Sequence, residues 1–456
     1  MKNDYLTTKP PFYALFMFSL PIMLGNLFQQ FYTMVDSAVV GRFVGEQALA
    51  AVGASYALTV VFICVAVGGG VGSSVIVSKY FGAQDFKSMK TAVNTAFLSF
   101  LILSVFLGGV GLFINRPLLV LLKTPEDALD LAIVYLRIYF IGLPFLFMYN
   151  VISSMFNALG KSRIPLVFLI FSSILNVVLD FLFVAVFKTG VAGAAWATLI
   201  AQGVSCVFSF IFFMRTLKKI DKEQENLLTN KKFNSDFKFF DFTEFVSMSK
   251  IALPSILQQS TVSIGMMLVQ SVVNAFGSAS LAGFSSYIRI ESIAIVPMNS
   301  LNNAMSSYTA QNIGAKKADR VVKGYHAANF LVAFFAITFC VIIELFYQPL
   351  IELFIGKNGS EIALKTGQAA LRFEGFFYCW IGFKMACDGL LRGAGDMKVF
   401  TLANLVNLSI RVCVSMICAP RFGIEWVWYS VPMGWFANFV ISFCELKTDN
   451  WKKSLE

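Results

Sequence analysis

Long apolar stretches alternate with short polar segments along the whole chain. Each stretch has about twenty residues or more, the length that an α-helix needs to cross the hydrocarbon core of a bilayer. Polar and apolar residues do not alternate one by one, as they would in the strands of a membrane β-barrel. The pattern predicts an all-α polytopic membrane protein. Its twelve transmembrane helices are predicted at approximately 12–37, 48–77, 91–114, 129–155, 164–187, 191–214, 248–273, 279–309, 324–347, 363–390, 398–419 and 424–445.

Composition excludes the other broad classes. Of the 456 residues, 57% are hydrophobic and only 14% are charged, whereas a soluble domain has about 25% charged residues. The eight cysteines lie in or beside apolar stretches and form no CxxC pair, so we interpret them as packing residues. His326 is the only histidine and lies in a basic loop, which leaves no ligand set for zinc or haem. We therefore expect no bound cofactor.

One long polar segment divides the twelve spans into two sets of six. It contains many lysines with acidic residues between them, a composition typical of a cytoplasmic connector. We predict an N-terminal lobe at 1–214, a basic connector at 215–247 and a C-terminal lobe at 248–456.

The distribution of basic residues predicts the orientation in the membrane. If the N-terminus is inside, the inside segments contain 24 Lys and Arg residues and the outside loops contain six. Cytoplasmic loops are enriched in these residues, so both termini are predicted to be cytoplasmic. The formal net charge of +10 then reflects topology and not a nucleic-acid partner. The first apolar stretch has no signal-peptide cleavage site, so we expect it to remain as the first span.

The two halves of the chain repeat one another. Pro21 corresponds to Pro254 in related segments, and Gly160 corresponds to Gly395 at an offset of 235. Further matches, at an offset of 232, are Gly45, Leu49 and Ala50 with Gly277, Leu281 and Ala282, and Gly82-Ala83 with Gly314-Ala315. Because each half has six spans, the halves share one orientation and form two pseudo-symmetric six-helix lobes. Repeats of this kind are typical of secondary transporters.

The sequence has no nucleotide-binding loop of the GxxxxGK[ST] type. The glycine-rich run at 68–72 lacks the lysine and the strand–loop–helix context of such a loop. We interpret the run as a patch of close helix packing, because glycine lets helix backbones approach one another. Transport by this chain would therefore depend on an ion gradient and not on ATP.

Polar residues in the N-terminal spans fall on single helix faces, because they recur every three or four residues. The stripes are Gln29, Tyr32 and Asp36; Asn150, Ser153, Ser154 and Asn157; Ser172, Asn176 and Asp180; and Thr198, Gln202 and Ser205. Polar residues are costly to bury in a bilayer, so we expect the four faces to line one polar cavity. Hydrogen bonds that only hold the helices together are the alternative. Gln29, Tyr32 and Asn150 are the predicted substrate contacts.

Four of these residues are predicted to meet in one layer. Asp36 precedes the outer boundary by six residues, and Asp180 and Thr198 are each eight residues from the next outer loop. At ~1.5 Å per residue, these three lie roughly 9–12 Å below the outer surface, with Asn176 one turn deeper. Their oxygens suit Na⁺, whereas neighbouring carboxylates that cannot both ionise suit a proton. A static hydrogen-bonded or salt-bridged pair is the third alternative.

The C-terminal spans carry charges of both signs. These residues are Arg289, Glu291, Glu344, Arg372, Glu374, Lys384, Asp388 and Arg411. Lys384 and Asp388 are four residues apart, which places them on one helix face, so we predict internal salt bridges. Arg411 occupies the repeat position of Asn176. This difference between the halves places the predicted cation site in the N-terminal half.

Several segments resemble one transporter family. They are DSAVVGRFVGEQALAAVGAS at 36–55, the GAQ and GAK loops after spans 2 and 8, FNALGKSRIP at 156–165, NVVLD at 176–180 and GVAGAAWAT at 190–198. Together they make the chain similar to the MATE (multidrug and toxic compound extrusion) family, and most similar to its bacterial DinF-like branch. The resemblance extends over essentially the whole chain.

The resemblance implies two six-helix lobes that work by alternating access in a bacterial inner membrane. It also implies export of cationic amphipathic compounds in exchange for Na⁺ or H⁺. The cation site of the family's N-terminal lobe corresponds to Asp36, Asn176, Asp180, the backbone carbonyl of Ala194, and Thr198. The NorM-like branch has a carboxylate in the seventh helix, eight residues after the proline. That position is Val262 in this sequence, so we expect no C-lobe site of that type.

These observations predict a cation-coupled antiporter and not an enzyme. We expect small cationic amphipathic molecules and membrane lipid as partners, no cofactor beyond the coupling ion, and a monomer. The alternative from the wider superfamily is a flippase for lipid-linked precursors. Its phosphate contacts would be Arg137, Arg289, Arg372 and Lys384. A membrane-embedded transferase would need an acidic cluster such as DDxxD or a catalytic histidine, whereas this sequence has no DD pair and a single histidine, interpreted above as a loop residue.

Overall fold

A computed structural model describes residues 5–122, 124–227, 238–356 and 359–455. For residues 36–40, 46, 49, 57, 224–227 and 453–455 it describes the backbone alone. Every regular element in these ranges is a helix, so the predicted all-α class is confirmed. Part of the predicted connector, at 228–237, lies outside the described residues.

The helices follow one another with short connections. In the N-terminal half they are α1 (Tyr5–Thr8), α2 (Pro11–Phe43), α3 (Glu46–Gly82), α4 (Phe86–Leu121), α5 (Glu126–Ala158), α6 (Arg163–Asp180) and α7 (Gly190–Leu227). A π-helical segment, Phe181–Val186, continues α6. In the C-terminal half they are α8 (Phe242–Asn274), α9 (Ser278–Ala294), α10 (Val296–Gly314), α11 (Ala318–Ile355), α12 (Glu361–Gly375), α13 (Tyr378–Ala394), α14 (Met397–Phe422) and α15 (Glu425–Thr448). A 3-10 helix, Asn450–Leu455, follows α15.

These helices account for the twelve predicted spans. Nine of the described segments are long and apolar enough to cross a membrane. Two further spans are each divided in two, as α9 with α10 and as α12 with α13, so their apolar length is interrupted. The last, α15, has 24 residues and contains several Trp and Tyr residues, which lowers its hydropathy. The predicted fold class, twelve transmembrane segments in two sets of six, is confirmed.

Many large apolar side chains are exposed on these helices. Phe113 of α4 is 87% exposed and Leu353 of α11 is 77% exposed. Monomeric soluble proteins rarely expose large continuous apolar areas, whereas lipid acyl chains accept them without cost. The distribution of exposed side chains is that of a multi-pass membrane protein.

The sequence repeat is visible in the backbone. Shifted by the offset that relates Gly45 to Gly277, α3 has the same first and last positions as the pair α9–α10. These two glycines, which precede the helices, have φ values of +106° and +91°. The matching pair Gly160 and Gly395 has φ values of +73° and +81°. The glycines of the repeat therefore mark backbone positions that other residues adopt only with strain.

The two halves differ where the C-terminal helices are broken. Helices α3 and α5 are continuous, whereas their counterparts stop at Ile295 and after Gly375. In the counterpart of α3, Pro297 lacks the N–H group that would continue the helical hydrogen bonds of α9. After Gly375 the chain makes a tight turn, in which the Phe377 amide donates to the Glu374 carbonyl at 2.8 Å. The repeat conserves the number of spans but not their continuity.

By its contacts the chain forms two compact units. The N-terminal unit is Leu24–Ile256, and the C-terminal unit combines Tyr5–Met23 with Leu257–Glu456. Helices α2 and α8 therefore contribute to both units, and in each helix the division comes three residues after a proline, Pro21 or Pro254. The lobe boundaries predicted from the sequence, 1–214, 215–247 and 248–456, stay a prediction.

The glycine run at 68–72 packs α3 against three helices of the N-terminal unit. A Cβ atom on Gly68 or Gly72 would lie 2.7 Å or 2.5 Å from backbone atoms of α8. A Cβ on Gly69 would collide with a phenylalanine ring of α4, and one on Gly70 would lie 2.8 Å from a serine hydroxyl of α5. The interpretation of this run as a close-packing patch is confirmed.

We expect Gly72→Ala to lower the free energy of unfolding by about 1–3 kcal/mol, because the added methyl group forces two helix backbones apart. The matched control is Gly53→Ala on the same helix, where a Cβ meets nothing within 4 Å. That change should be neutral or stabilise the helix by up to ~1 kcal/mol. Denaturant unfolding in detergent micelles measures both. Equal stability of the two variants would contradict the packing assignment.

Candidate functional site

The end of α6 changes its helix type next to a buried carboxylate. Asp180 is the last residue of α6 and is fully buried. The π-helical segment follows at once, and the Phe187 amide donates to the Leu182 carbonyl, five residues back, at 2.9 Å. Single π-helical turns within α-helices are frequent at functional sites. The local backbone therefore marks the same residue that the sequence stripe had selected.

Three other residues of the predicted cation site, Asn176, Ala194 and Thr198, lie close to Asp180 or to one another. The Thr198 hydroxyl of α7 donates to the Ala194 carbonyl, one turn earlier, at 3.1 Å. The side chains of Asn176 and Thr198 contact each other across α6 and α7, with the Asn176 amide 3.2 Å from Thr198 Oγ1. Asn176 and Ala194 are buried, and Thr198 is half-buried. The structure thus brings together Asn176, Asp180, Ala194 and Thr198, as the sequence predicted; their role stays a prediction.

The orientation of the Asn176 amide connects this cluster to the carboxylate. With Nδ2 toward Asp180, the amide donates to Asp180 Oδ2 at 2.8 Å, and its oxygen accepts from the Thr198 backbone N–H at 3.2 Å. In the reverse orientation the amide oxygen faces the carboxylate, which accepts hydrogen bonds but donates none when ionised. The first orientation satisfies both ends of the amide. The Asn176 amide therefore links the Asp180 carboxylate to Thr198, whose hydroxyl donates to the Ala194 carbonyl.

The side chain of Asp36, the remaining predicted ligand, lies outside the described residues; its backbone belongs to α2. Two contacts place that helix against the site. A Cβ on Gly25 would lie 3.5 Å from a leucine side chain of α6. Two turns after Asp36, the ring of Phe43 packs edge-on against that of Phe181, with centroids 6.1 Å apart. Helix α2 therefore contacts α6 and its π-helical continuation before and after position 36.

The predicted substrate contacts come from two helices, α2 and α5. Gln29 is exposed and Tyr32 is half-buried on α2. The Asn150 amide donates to the Leu146 carbonyl of its own helix at 2.8 Å. A small cavity of about 20 Å³, enough for roughly one water molecule, lies between α5 and α7 and touches Thr198 and Gln202. The assignment of Gln29, Tyr32 and Asn150 to substrate stays a prediction.

The donor set of the cluster fits a small hard cation. It contains a carboxylate, a side-chain amide, a hydroxyl and a backbone carbonyl. Small hard cations prefer oxygen ligands of these kinds. Within the part of the chain that the structure describes, no three His, Cys, Asp or Glu side chains lie close enough to hold a metal. Asp36 would be the second carboxylate of the set, on a helix that already contacts α6.

Two of the salt bridges predicted in the C-terminal spans are confirmed. Lys384 Nζ lies 2.8 Å from Asp388 Oδ2, and both side chains are buried. Arg372 forms a bidentate pair with Glu344, with the shortest distance 2.8 Å, and stacks on Tyr347. These pairs neutralise two of the four cations that a phosphate-binding flippase would need.

For Glu291 and Glu374 the salt-bridge interpretation was wrong. Among the described residues neither carboxylate forms an ion pair; Glu291 accepts a hydrogen bond from the Tyr287 hydroxyl at 2.9 Å. The hydrogen bond between Tyr287 and Glu291 was not predicted, because every charge in the C-terminal half was treated alike. The sequence did contain a signal for the helix breaks near these acids, since Pro297 and Gly375 follow the two glutamates.

A helical membrane protein of two repeated six-span halves, with a buried oxygen cluster inside one half, belongs to the class of secondary transporters. The MatE family profile matches residues 21–182 and 254–417, one segment in each half, and the chain belongs to this family. It is 31% identical over 445 residues to the probable multidrug resistance protein YpnP of Bacillus subtilis, covering 96% of this chain and 95% of that protein.

Two further comparisons add to this family assignment. A crystal structure of MATE in the bent conformation has the same fold, with a TM-score of 0.87 and 23% identity over 100% of this chain and 99% of that chain. The FAD transporter of Shewanella oneidensis is 24% identical over 345 residues, covering 74% of this chain and 73% of that protein. The chain is therefore a MATE family membrane transporter and not an enzyme; its placement in the DinF-like branch stays a prediction.

Proposed function

We propose that this transporter is an antiporter that exports cationic amphipathic compounds in exchange for Na⁺ or H⁺. The observation that supports the proposal most is the fully buried Asp180, hydrogen-bonded through Asn176 to Thr198 at the start of a π-helical segment. An ionisable residue inside a membrane helix is costly. A carboxylate retained at such a cost, among oxygen ligands, has the chemistry of a coupling-ion site.

The mechanism follows from the charge of the cluster. With the cation bound, the negative charge of Asp180 is neutralised and the surrounding helices pack closely. Without the cation, the ionised carboxylate is stabilised only if water or another cation reaches it. Coupling requires that ion and drug bind with different affinities to the inward- and outward-open states, so that each disfavours the other. We infer that Asp36 joins the site and that α2, with Pro21 in its interior, changes shape on binding.

The remaining parts of the proposal concern substrate, orientation and assembly. The relative YpnP is named as a probable multidrug resistance protein, and a cationic substrate would be disfavoured by the bound coupling cation, as antiport requires. We infer a cationic amphipathic substrate, with Gln29, Tyr32 and Asn150 among its contacts. The basic connector and loops favour cytoplasmic termini in a bacterial inner membrane. A monomer in lipid is the working state.

An anionic substrate is the second candidate. It is favoured by a cavity of about 260 Å³ in the C-terminal unit, lined in part by Arg289 and Arg411, and one relative is named as an FAD transporter. It is disfavoured by the pairing of Arg372 with Glu344 and of Lys384 with Asp388. A lipid-linked phosphate would lose the same two cations, which weakens the flippase alternative as well.

Efflux from proteoliposomes tests the proposal. Ethidium is loaded, a Na⁺ gradient and a pH gradient are imposed separately, and wild type is compared with Asp36→Asn. We expect efflux driven by one of the two gradients, with its loss in the variant. FAD is loaded in parallel vesicles as the anionic probe. Gradient-driven efflux of FAD but not of ethidium would contradict a cationic substrate, and coupled efflux by Asp36→Asn would contradict the ion site.

A further inference from the structure

Helix α5 has one exposed face, and an arginine lies in the middle of it. Val134, Arg137, Ile141 and Phe145 are all exposed and are three or four residues apart, so they share this face. The residues on either side of Arg137 are apolar, as expected for a surface that contacts lipid. Among the described residues, Arg137 forms no salt bridge and no side-chain hydrogen bond. Because a guanidinium stays ionised in proteins, its charge needs water or an external anion.

The repeat shows which partner an arginine at this position has in the other unit. Arg372 of α12 is the counterpart of Arg137, at an offset of 235. It forms the bidentate pair with Glu344 of α11. At the offset of 232 that relates α11 to α4, the counterpart of Glu344 is Leu112. The N-terminal unit therefore keeps the arginine but not the acid.

The register of the repeat is fixed on both pairs of helices. The first residues of α5 and α12, Glu126 and Glu361, differ by the same offset of 235. The interior prolines of α4 and α11, Pro117 and Pro349, differ by the same offset of 232. Helix α4 contains no acidic residue, so a change of register would not supply the missing acid.

A second polar group without a partner lies at a neighbouring position of the repeat. In the C-terminal unit, the guanidinium of Arg372 stacks on the ring of Tyr347 at 4.7 Å. The counterpart of Tyr347, at an offset of 232, is Asn115. Asn115 is 2% exposed, and among the described residues its Nδ2 has no hydrogen-bond partner. Two positions that meet in the C-terminal unit therefore hold, in the N-terminal unit, two donors without an acceptor.

Arg137 lies at the edge of the uncharged part of α5. Residues 138–158, which complete the helix, contain no charge, and at ~1.5 Å per residue they extend over ~32 Å, about the thickness of a hydrocarbon core. On α4, the uncharged run at 91–115 ends at Arg116, which is exposed. A Cβ on Gly111 would collide with the ring of Phe140. Beyond this contact, Arg116 and Arg137 lie ~7.5 Å and ~4.5 Å further along their antiparallel helices, so both are near headgroup level.

We propose that Arg137 binds the phosphate group of a membrane phospholipid, which takes the place that Glu344 has in the C-terminal unit. A guanidinium binds phosphate and carboxylate oxygens in the same bidentate geometry, so one group can replace the other. Arg116 adds positive charge at a similar depth. The acyl chains lie along the exposed apolar side chains, which include Ile141 of α5 and Phe113 of α4.

A phospholipid fits this position better than a soluble anion. Asp130 lies on the same exposed face of α5, seven residues or ~10 Å from Arg137. Its negative charge disfavours a free anion that approaches from water, but not a lipid that enters from the membrane. Neither cavity described above is lined by Arg137. This inference does not depend on the proposed substrate or on the coupling ion.

Native mass spectrometry of the delipidated full-length protein in detergent tests the site. Phosphatidylglycerol is titrated beside a monogalactosyl diacylglycerol with the same acyl chains, which has no phosphate. We expect wild type to bind one phosphatidylglycerol at least about tenfold more tightly than the galactolipid. Arg137→Gln should lose this preference. The matched control is Arg421→Gln, an exposed arginine in the last turn of α14, which should bind like wild type.

The repeat supplies a second pair of variants. Leu112→Glu restores the acid that the C-terminal unit has, so it should pair with Arg137 and lower phosphatidylglycerol affinity as much as Arg137→Gln. Leu112→Gln has nearly the same size without the charge and should bind like wild type. In the other unit, Glu344→Gln frees Arg372 and should add a second preferred phosphatidylglycerol. That variant leaves the N-terminal unit unchanged, so it tests the proposal even where Leu112→Glu does not fold.

Four results would overturn the proposal. They are unchanged phosphatidylglycerol binding in folded Arg137→Gln, equal affinity of wild type for the galactolipid, an equal loss in Arg421→Gln, and displacement of the lipid by an equal concentration of glycerol phosphate. The third would show non-specific attraction to basic residues, and the fourth would identify a site for a soluble anion. Loss of drug efflux in a variant with unchanged lipid binding would count against the proposed function alone.

Discussion

Replacing Asp180 by Asn is expected to abolish cation-driven efflux while leaving the protein folded. Asn has nearly the same shape and still reaches Asn176, but it removes the negative charge of the cluster. An interaction with a charged group contributes up to about 3 kcal/mol, which corresponds to roughly a 100-fold loss of cation affinity. With a cation gradient imposed, the efflux rate of the variant should fall to the rate measured in vesicles that have no gradient.

Graded variants separate the charge from the rest of the cluster. Thr198→Val removes one hydroxyl that bonds the Ala194 carbonyl, and we expect about a tenfold loss of cation affinity. The matched control is Asp127→Asn, an exposed carboxylate in the first turn of α5, which should transport like wild type. Cation binding is measured by titration calorimetry and efflux in proteoliposomes. Coupled efflux by folded Asp180→Asn would show that the coupling ion binds elsewhere.

Hydropathy and spacing were enough to predict the number of spans and part of the site. Asn176 and Asp180 share one face of α6 because they are four residues apart, and Thr198 is at the same depth on the next helix. Adjacent antiparallel helices joined by a short turn bring equal depths together. The approach of Thr198 to this face of α6 was therefore predictable from the sequence, although the observed contact is with Asn176, one turn deeper than Asp180.

The helix breaks were not predictable in the same way. Proline lies inside α2, α4, α5, α8, α14 and α15 without ending them. In α11 the backbone is kinked at Phe346, three residues before Pro349. Pro297 does coincide with a break, so a proline by itself does not distinguish the two outcomes. Neighbouring helices decide which freed carbonyls are satisfied, and that information is tertiary. The π-helical turn after Asp180 has the same origin, since FLFVAV is an ordinary apolar run.

The buried ion pair of the C-terminal unit is a second case in which a local pattern predicted the contact but not its surroundings. Lys384 and Asp388 are one turn apart, and the Gln258 and Asn404 amides approach the same carboxylate oxygen, Asp388 Oδ2, each at 3.4 Å. These long contacts do not replace the charge of Lys384. Among the described residues Lys384 forms the ion pair with this fully buried carboxylate, and the buried Arg392 interacts with it only at longer range.

Lys384→Met is therefore expected to lower the free energy of unfolding by about 3–5 kcal/mol, because it leaves a buried charge without its partner. The double variant Lys384→Met with Asp388→Asn removes both charges and should recover most of that loss. Lys365→Met breaks an ion pair of the same spacing on α12, in which the two side chains are 74% and 79% exposed, and should change nothing measurable. Denaturant unfolding in micelles, followed by tryptophan fluorescence, compares the three. If the double variant is no more stable than Lys384→Met, the loss arises from packing of the lysine stem and not from the uncompensated charge of Asp388.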